Sequence, residues 1–122
     1  MKNFRLDRAA AGYFQALSAI MCFDLDQAEL SGVTVTRVVF TPDLKLAKIY
    51  FTTDRGRESE PEIQKAFAQV KKFLRKRLAE EVPLKFVPDL KFYYDESAEE
   101  RQKLDELFRK IEGERHAQSQ KD

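Results

Sequence analysis

The densest run of chemically active side chains lies between Lys65 and Arg77, where Lys65, Lys71, Lys72, Arg75, Lys76 and Arg77 occur with no acid among them. Cations grouped in this way can neutralise phosphates and release counterions, giving affinity that falls with salt and carries little sequence information. The bland alternative is a solvated face balanced by acids elsewhere, and the stretch from Glu96 to Glu114 is largely acidic. Nothing else in the chain assembles a catalytic constellation. There is no Gly-rich phosphate loop and no Gly-x-Ser-x-Gly, and the single histidine, His116, sits close to the C-terminus. The single cysteine, Cys22, can neither close an intrachain disulfide nor complete a metal site, which fits a reducing compartment. Asp95, Glu96, Glu99 and Glu100 could hold a cation or move a proton, but they flank a helix start and complement its dipole. No catalytic residue, metal ligand or cofactor is expected.

The elements that must position the cations follow from periodicity. Val33 to Thr53 reads as an antiparallel hairpin about the turn-forming pair Pro42-Asp43, with Ala47, Ile49 and Phe51 on one face and Lys48, Tyr50 and Thr52 on the other. In its first strand Val33 and Val35 fall out of phase with Val38 and Phe40, and a β-bulge near Thr36 or Arg37 restores one apolar face and lets Arg37 point out of the sheet. A two-stranded hairpin is marginal in water, so a third strand or helices must cover it. Leu90, Phe92 and Tyr94 alternate with Lys91, Tyr93 and Asp95, which supplies that strand. Lys48, Tyr50, Lys91 and Tyr93 then share the outward face, where aromatic rings between cations can stack single-stranded bases; β propensity alone also explains the tyrosines.

Three helices complete the reading. Asn3 can cap the first, about residues 4 to 22, whose apolar stripe is Leu6, Ala10, Tyr13, Phe14, Leu17, Ile20 and Met21. Arg5 and Arg8 fall together on its opposite face, and Gly12 on that side reads as a tolerated weak residue. Pro61 opens the second, whose stripe is Ile63, Phe67, Val70, Leu74 and Leu78, leaving Lys65, Lys72, Arg75 and Lys76 on the far side and Lys71 at the edge. Ser97 and Glu100 stand at capping-box spacing before a short amphipathic helix built on Leu104, Leu107, Phe108 and Ile111. The order is helix, strand, strand, long helix, strand, helix, in a two-layer α+β domain with a three-stranded sheet. Residues 1–112 form a single domain, and the tail 113–122 is expected to be disordered.

Composition bounds the class. With 122 residues, 43% hydrophobic and 35% charged, the chain suits a folded soluble domain, and no apolar run approaches the roughly 18 residues of a membrane span. Asp7 and Arg8 interrupt the place where a secretory signal needs an apolar stretch, so a cytoplasmic location is expected. Lys and Arg total 22 against 21 Asp and Glu, so any nucleic-acid affinity has to come from local segregation of charge.

Two motifs carry a family likeness. Val38-x-Phe40-Thr41-Pro42-Asp43-Leu44-Lys45-Leu46-Ala47-Lys48-Ile49-Tyr50-Phe51 and Val87-Pro88-Asp89-Leu90-Lys91-Phe92-Tyr93-Tyr94-Asp95-Glu96-Ser97, with Arg5 and Arg8 as an opening Arg-x-x-Arg, resemble the ribosome-binding factor A family over about residues 4 to 111. The resemblance implies a type II KH-like fold, α-β-β-α-α-β, here with an extra C-terminal helix. It implies a non-catalytic assembly factor that binds the immature small (30S) ribosomal subunit and assists late 16S rRNA maturation near the 5′ end helix and the neck. Growth in the cold, a monomeric state off the ribosome, and no role for DNA or membranes belong to the same implication. KH domains place a Gly-x-x-Gly loop between their central helices and this family an Ala-x-Gly kink; Val70, Lys71 and Lys72 stand there instead and predict a straighter helix to about Glu80. The candidate RNA contacts are Arg5, Arg8, Lys45, Lys48, Lys71, Lys72, Arg75 and Lys76. The alternative is a protein-interaction module of the same fold, using the acidic C-terminal helix or a strand edge.

Overall fold

A computed structural model describes residues 4–119; Asn3, expected to cap the first helix, lies outside them, as do residues 120–122 of the expected tail. Strands β1 (Val33–Phe40) and β2 (Leu46–Thr53) form the antiparallel hairpin. Its turn is closed by Leu44 N–H donating to Thr41 O at 2.8 Å, and Asp43 Oδ1 accepts from the Thr41 hydroxyl at 2.7 Å and from Lys45 N–H at 3.0 Å. Leu44 takes a φ of 59° to make this turn, a conformation that costs a side-chain-bearing residue about 1 kcal/mol. At the other end of the hairpin Gly32 has φ 81°, and a Cβ there would run into the Asp54 carboxylate.

The phase slip in β1 is a bulge. Pairing shifts between Val35 and Arg37, leaving Thr36 as the extra residue, and Val35, Val38 and Phe40 all reach the core. Strand β3 (Asp89–Tyr94) pairs parallel to β2, with Lys48 beside Lys91 and Tyr50 beside Tyr93, in the sheet order β1-β2-β3. Helices α1 (Phe4–Phe23) and α2 (Glu60–Glu81) cover the face made by Ala47, Ile49, Phe51 and Leu90. Phe67 anchors that layer, parallel to Phe92 with centroids 3.9 Å apart and 5.4 Å from Phe51. Helix α2 is unbroken, so the two middle helices of the KH-like order run as one. Residues 70–72 contain no glycine to end a helix, and Ile63, Phe67, Val70, Leu74 and Leu78 stay buried along its length.

The expected stripe of α1 faces the core except at Phe14: Leu6, Ala10 and Met21 pack against the core at its margin. Ala9, Tyr13, Ala16, Leu17 and Ile20 are buried, while Phe14 is exposed. Gly12, whose missing side chain lets Val82 approach, sits against the chain that follows α2; a Cβ at residue 12 would lie 3.2 Å from a Val82 methyl. This glycine is a point of close packing and not merely a tolerated weak residue.

Helix α3 (Glu96–Ser119) departs from expectation at both ends. Its cap is Asp95, whose Oδ1 accepts from Ala98 N–H at 3.1 Å, and not Ser97. It also continues through Gly113, so the tail expected to be disordered from residue 113 is helical as far as Ser119. One glycine costs about 1 kcal/mol of helix propensity, which better helix formers on either side of it offset. Leu104, Leu107, Phe108 and Ile111 remain exposed, whereas Glu99, Gln102, Lys103 and Glu106 line a cleft of about 520 Å³ with Thr34, Thr52 and Asp54. The apolar side of this helix therefore has no cover among the described residues.

Asp95 is 2% exposed and is held by the bulge. Thr36 donates its hydroxyl to Oδ2 at 2.5 Å, the Arg37 guanidinium lies 3.8 Å from the same oxygen, and Asp95 N–H donates to Phe51 O at 2.7 Å. Burial by itself would push the carboxyl pKa up; the Thr36 hydroxyl, the Ala98 N–H and the charges of Arg37 and Arg101 outweigh it and hold the pKa below its ordinary 3.8. A group with a depressed folded pKa stabilises the fold above its ordinary value, and that stabilisation is lost as pH falls through the folded value. Asp95→Ala should lower stability by about 2–4 kcal/mol, from the missing cap and the orphaned Thr36 hydroxyl. Asp95→Asn should cost less and weaken the pH dependence below 3.8; urea unfolding across acid pH measures both.

Tyr13 packs edge-on against Phe40 at 4.9 Å and is 1% exposed. Burial pushes its phenol up to about 12, with the Arg75 charge pulling part-way back. Its neutral form is favoured by folding, so the corresponding stability is present below pH 10 and lost between there and about 12. Thermal unfolding of Tyr13→Phe should show a smaller alkaline loss across that window than the parent protein.

Candidate nucleic-acid interface

The predicted contacts do not converge on one surface. Lys72 and Lys76 lie on the exposed side of α2, turned away from the sheet, and form no ion pair among the described residues. Arg5 and Arg8 belong to the same helical layer, beside Val82, Pro83 and Leu84, where with Phe4 and Ala9 they border a cavity of about 330 Å³. Lys48 lies across the molecule on the uncovered face of the sheet, next to Lys91. Lys45 is exposed at the hairpin turn, and its carbonyl accepts from Asp89 N–H at 2.9 Å where β2 meets β3.

Two of the predicted cations hold the fold together. Lys71 Nζ lies 2.7 Å from Asp89 Oδ1, and this bond, opposed by partial burial and helped by the Leu90 N–H, keeps the Asp89 carboxyl below its ordinary pKa. Arg75 donates through Nε to Pro88 O and through its terminal nitrogen to Val87 O, both at 3.1 Å. Gln64 donates to Phe92 O at 2.8 Å further along the same strand. These side chains fasten α2 to β3 and its approach, satisfying carbonyls that a sheet edge leaves without strand partners. Arg77 bridges Asp24, at 2.9 Å, and Glu81, at 3.6 Å. Consecutive lysines thus divide: Lys71 is used internally and Lys72 faces solvent.

The sheet face carries a residue that the charge pattern misses. Arg37 places its guanidinium 3.9 Å from the Tyr50 ring centroid, and Tyr50 stacks on Tyr93 at 5.5 Å and 29°. The phase slip is the signal that Arg37 turns outward; its approach to Asp95 depends on residues far apart in the chain.

A sequence model of ribosome-binding factor A matches residues 5–108. The chain belongs to the ribosome-binding factor A family. Ribosome-binding factor A of Desulfatibacillum aliphaticivorans is 33% identical over 107 residues, covering 88% of this chain and 87% of that protein. That of Trichlorobacter lovleyi is 31% identical over 111 residues, covering 91% and 90%. The crystal structure of ribosome-binding factor A from Thermus thermophilus superposes with a TM-score of 0.65 at 22% identity, covering 73% of this chain and 94% of that one. A homology model of the Thermus thermophilus protein, fitted into a cryo-EM map of a 30S–RbfA complex, gives 0.58 at 24% identity, covering 69% and 88%. These superpositions establish that the α+β fold is the one the ribosome-binding factor A family adopts.

The division between paired and unpaired cations is measurable. Arg75→Ala should destabilise the fold by about 1–2 kcal/mol, because two carbonyls lose a charged donor. Lys72→Ala and Lys76→Ala should each stay within about 0.5 kcal/mol of the parent protein. Denaturant midpoints of the three variants read the difference directly.

Proposed function

We propose that the protein is a non-catalytic assembly factor that binds the immature small (30S) ribosomal subunit and assists late maturation of 16S rRNA in the cytoplasm. It acts as a monomer off the ribosome. The observation that carries this reading is the exposed side of α2, where Lys72 and Lys76 point to solvent with no acid paired to them among the described residues. Unpaired lysines on a rigid helix meet phosphates at little reorganisation cost, and the counterions released supply the affinity. Arg5 and Arg8, on the same helical layer, extend that surface. Membership of the family and the fit of its Thermus relative to a 30S complex support the same partner.

A protein-interaction module is favoured by one feature only, the uncovered stripe of Leu104, Leu107, Phe108 and Ile111 on α3. That reading predicts tight binding of a protein partner in the absence of RNA.

Replacing Lys72 and Lys76 together by Glu should abolish co-sedimentation with immature small subunits while leaving the unfolding transition in place. The slope of log affinity against log salt should shrink by roughly one for each phosphate that is no longer neutralised. Unchanged co-sedimentation would reject this helix as the binding surface.

A further inference from the structure

The open face of the sheet has a construction that phosphate binding does not explain. Strand pairing sets Arg37 against Tyr50 and Tyr50 beside Tyr93, so one cation and two rings form a continuous stack across all three strands. The adjoining row holds Lys48 and Lys91 side by side, neither with an ion pair among the described residues. The two acids that alternate with Lys91 and Tyr93 along this face are already engaged, Asp89 by Lys71 and Asp95 by Thr36, Arg37 and the start of α3. Helices α1 and α2 lie on the other face, and Tyr93, on the edge strand, keeps 37% of its surface exposed.

We propose that this face is a stacking platform for an unpaired base of single-stranded RNA, which extends the Arg37–Tyr50–Tyr93 stack at Tyr93 while Lys48 and Lys91 hold the flanking phosphates. The inference rests on the reading of the protein as an RNA binder and adds a second surface, on the side opposite Lys72 and Lys76, with its own preference. A duplex keeps its bases stacked inside and offers such a surface only phosphates. An unpaired base offers a π face, which stacks on an aromatic side chain whatever its identity. A peptide could also lie against tyrosines, but it would leave the two lysines without anionic partners.

The test compares, by fluorescence anisotropy, a labelled oligoadenylate of roughly ten nucleotides with the same strand in duplex with oligouridylate. The parent protein should prefer the single strand. Tyr93→Leu should weaken single-strand binding about fivefold to a hundredfold, the range that removal of one stacked base gives, and leave duplex binding unchanged. Tyr93→Phe, which keeps the ring, should bind as the parent does. Equal affinity of the parent for single strand and duplex, or an unaltered single-strand affinity in Tyr93→Leu, overturns the proposal. So does a proline-rich peptide whose binding depends on Tyr93 when RNA binding does not. Charge reversal at Lys72 and Lys76 should lower both RNA affinities while preserving the preference for the single strand. If that variant still co-sediments with small subunits while the Tyr93 dependence holds, the helix-face reading fails and the sheet-face platform stands; the opposite pair of results leaves only the helix face.

Discussion

The carboxylate of Asp95 ties together parts of the chain that have no other reason to stay in register. One oxygen takes the hydroxyl of Thr36, the residue that the bulge adds to β1, and lies near the guanidinium of Arg37; the other caps α3. Its backbone N–H closes the last bond between β3 and β2. A nearly buried carboxylate costs several kcal/mol of lost hydration unless hydrogen bonds and charges replace the water, and here β1 and α3 supply the replacement. Arg37 is thereby fixed between Asp95 and Tyr50, so the exit angle of α3 and the outer surface of the sheet are set by the same group.

Helix α2 shows how a charge count misleads. Its run of cations reads as one basic stripe, yet the helix must also fasten itself to the edge of β3, and Lys71 and Arg75 are committed to that task. An edge strand presents carbonyls that have to be satisfied or left to water. Of that run, Lys65, Lys72 and Lys76 are exposed without an ion pair among the described residues and are left to meet a partner. The surface available for phosphates is accordingly narrower than the composition of the segment indicates, and the remaining basic residues are distributed over both sides of the molecule.

Features governed by local rules are legible in the sequence. Alternation in β2 and β3, the phase slip at Thr36, the helical spacing from Ile63 to Leu78 and the absence of glycine at 70–72 each describe a residue and its near neighbours, and each corresponds to what the fold contains. What escapes is the meeting of distant segments. Gly12 looks like a weak helix residue because Val82 lies far along the chain, and Ser97 looks like the cap because Glu100 stands at the right spacing. The tail from Gly113 differs for another reason: one glycine reads as a stop, though its propensity cost is small beside that of proline. The division between Lys71 and Lys72 needs the position of Asp89, which only the parallel pairing of β3 supplies.

That parallel pairing also orders events in time. The β1–β2 hairpin closes over the few residues of a tight turn, whereas the Asp89–Lys45 bond closes a loop that contains the whole of α2. Loop closure over a longer segment is slower, because its entropy is lost before any new interaction offsets it. The hairpin and its bulge therefore form a template on which β3 docks late, and the Thr36–Asp95 bond is a latch that closes only when both are home. Substitutions at Asp95 should then act chiefly on the rate of unfolding, leaving the rate of folding nearly unchanged.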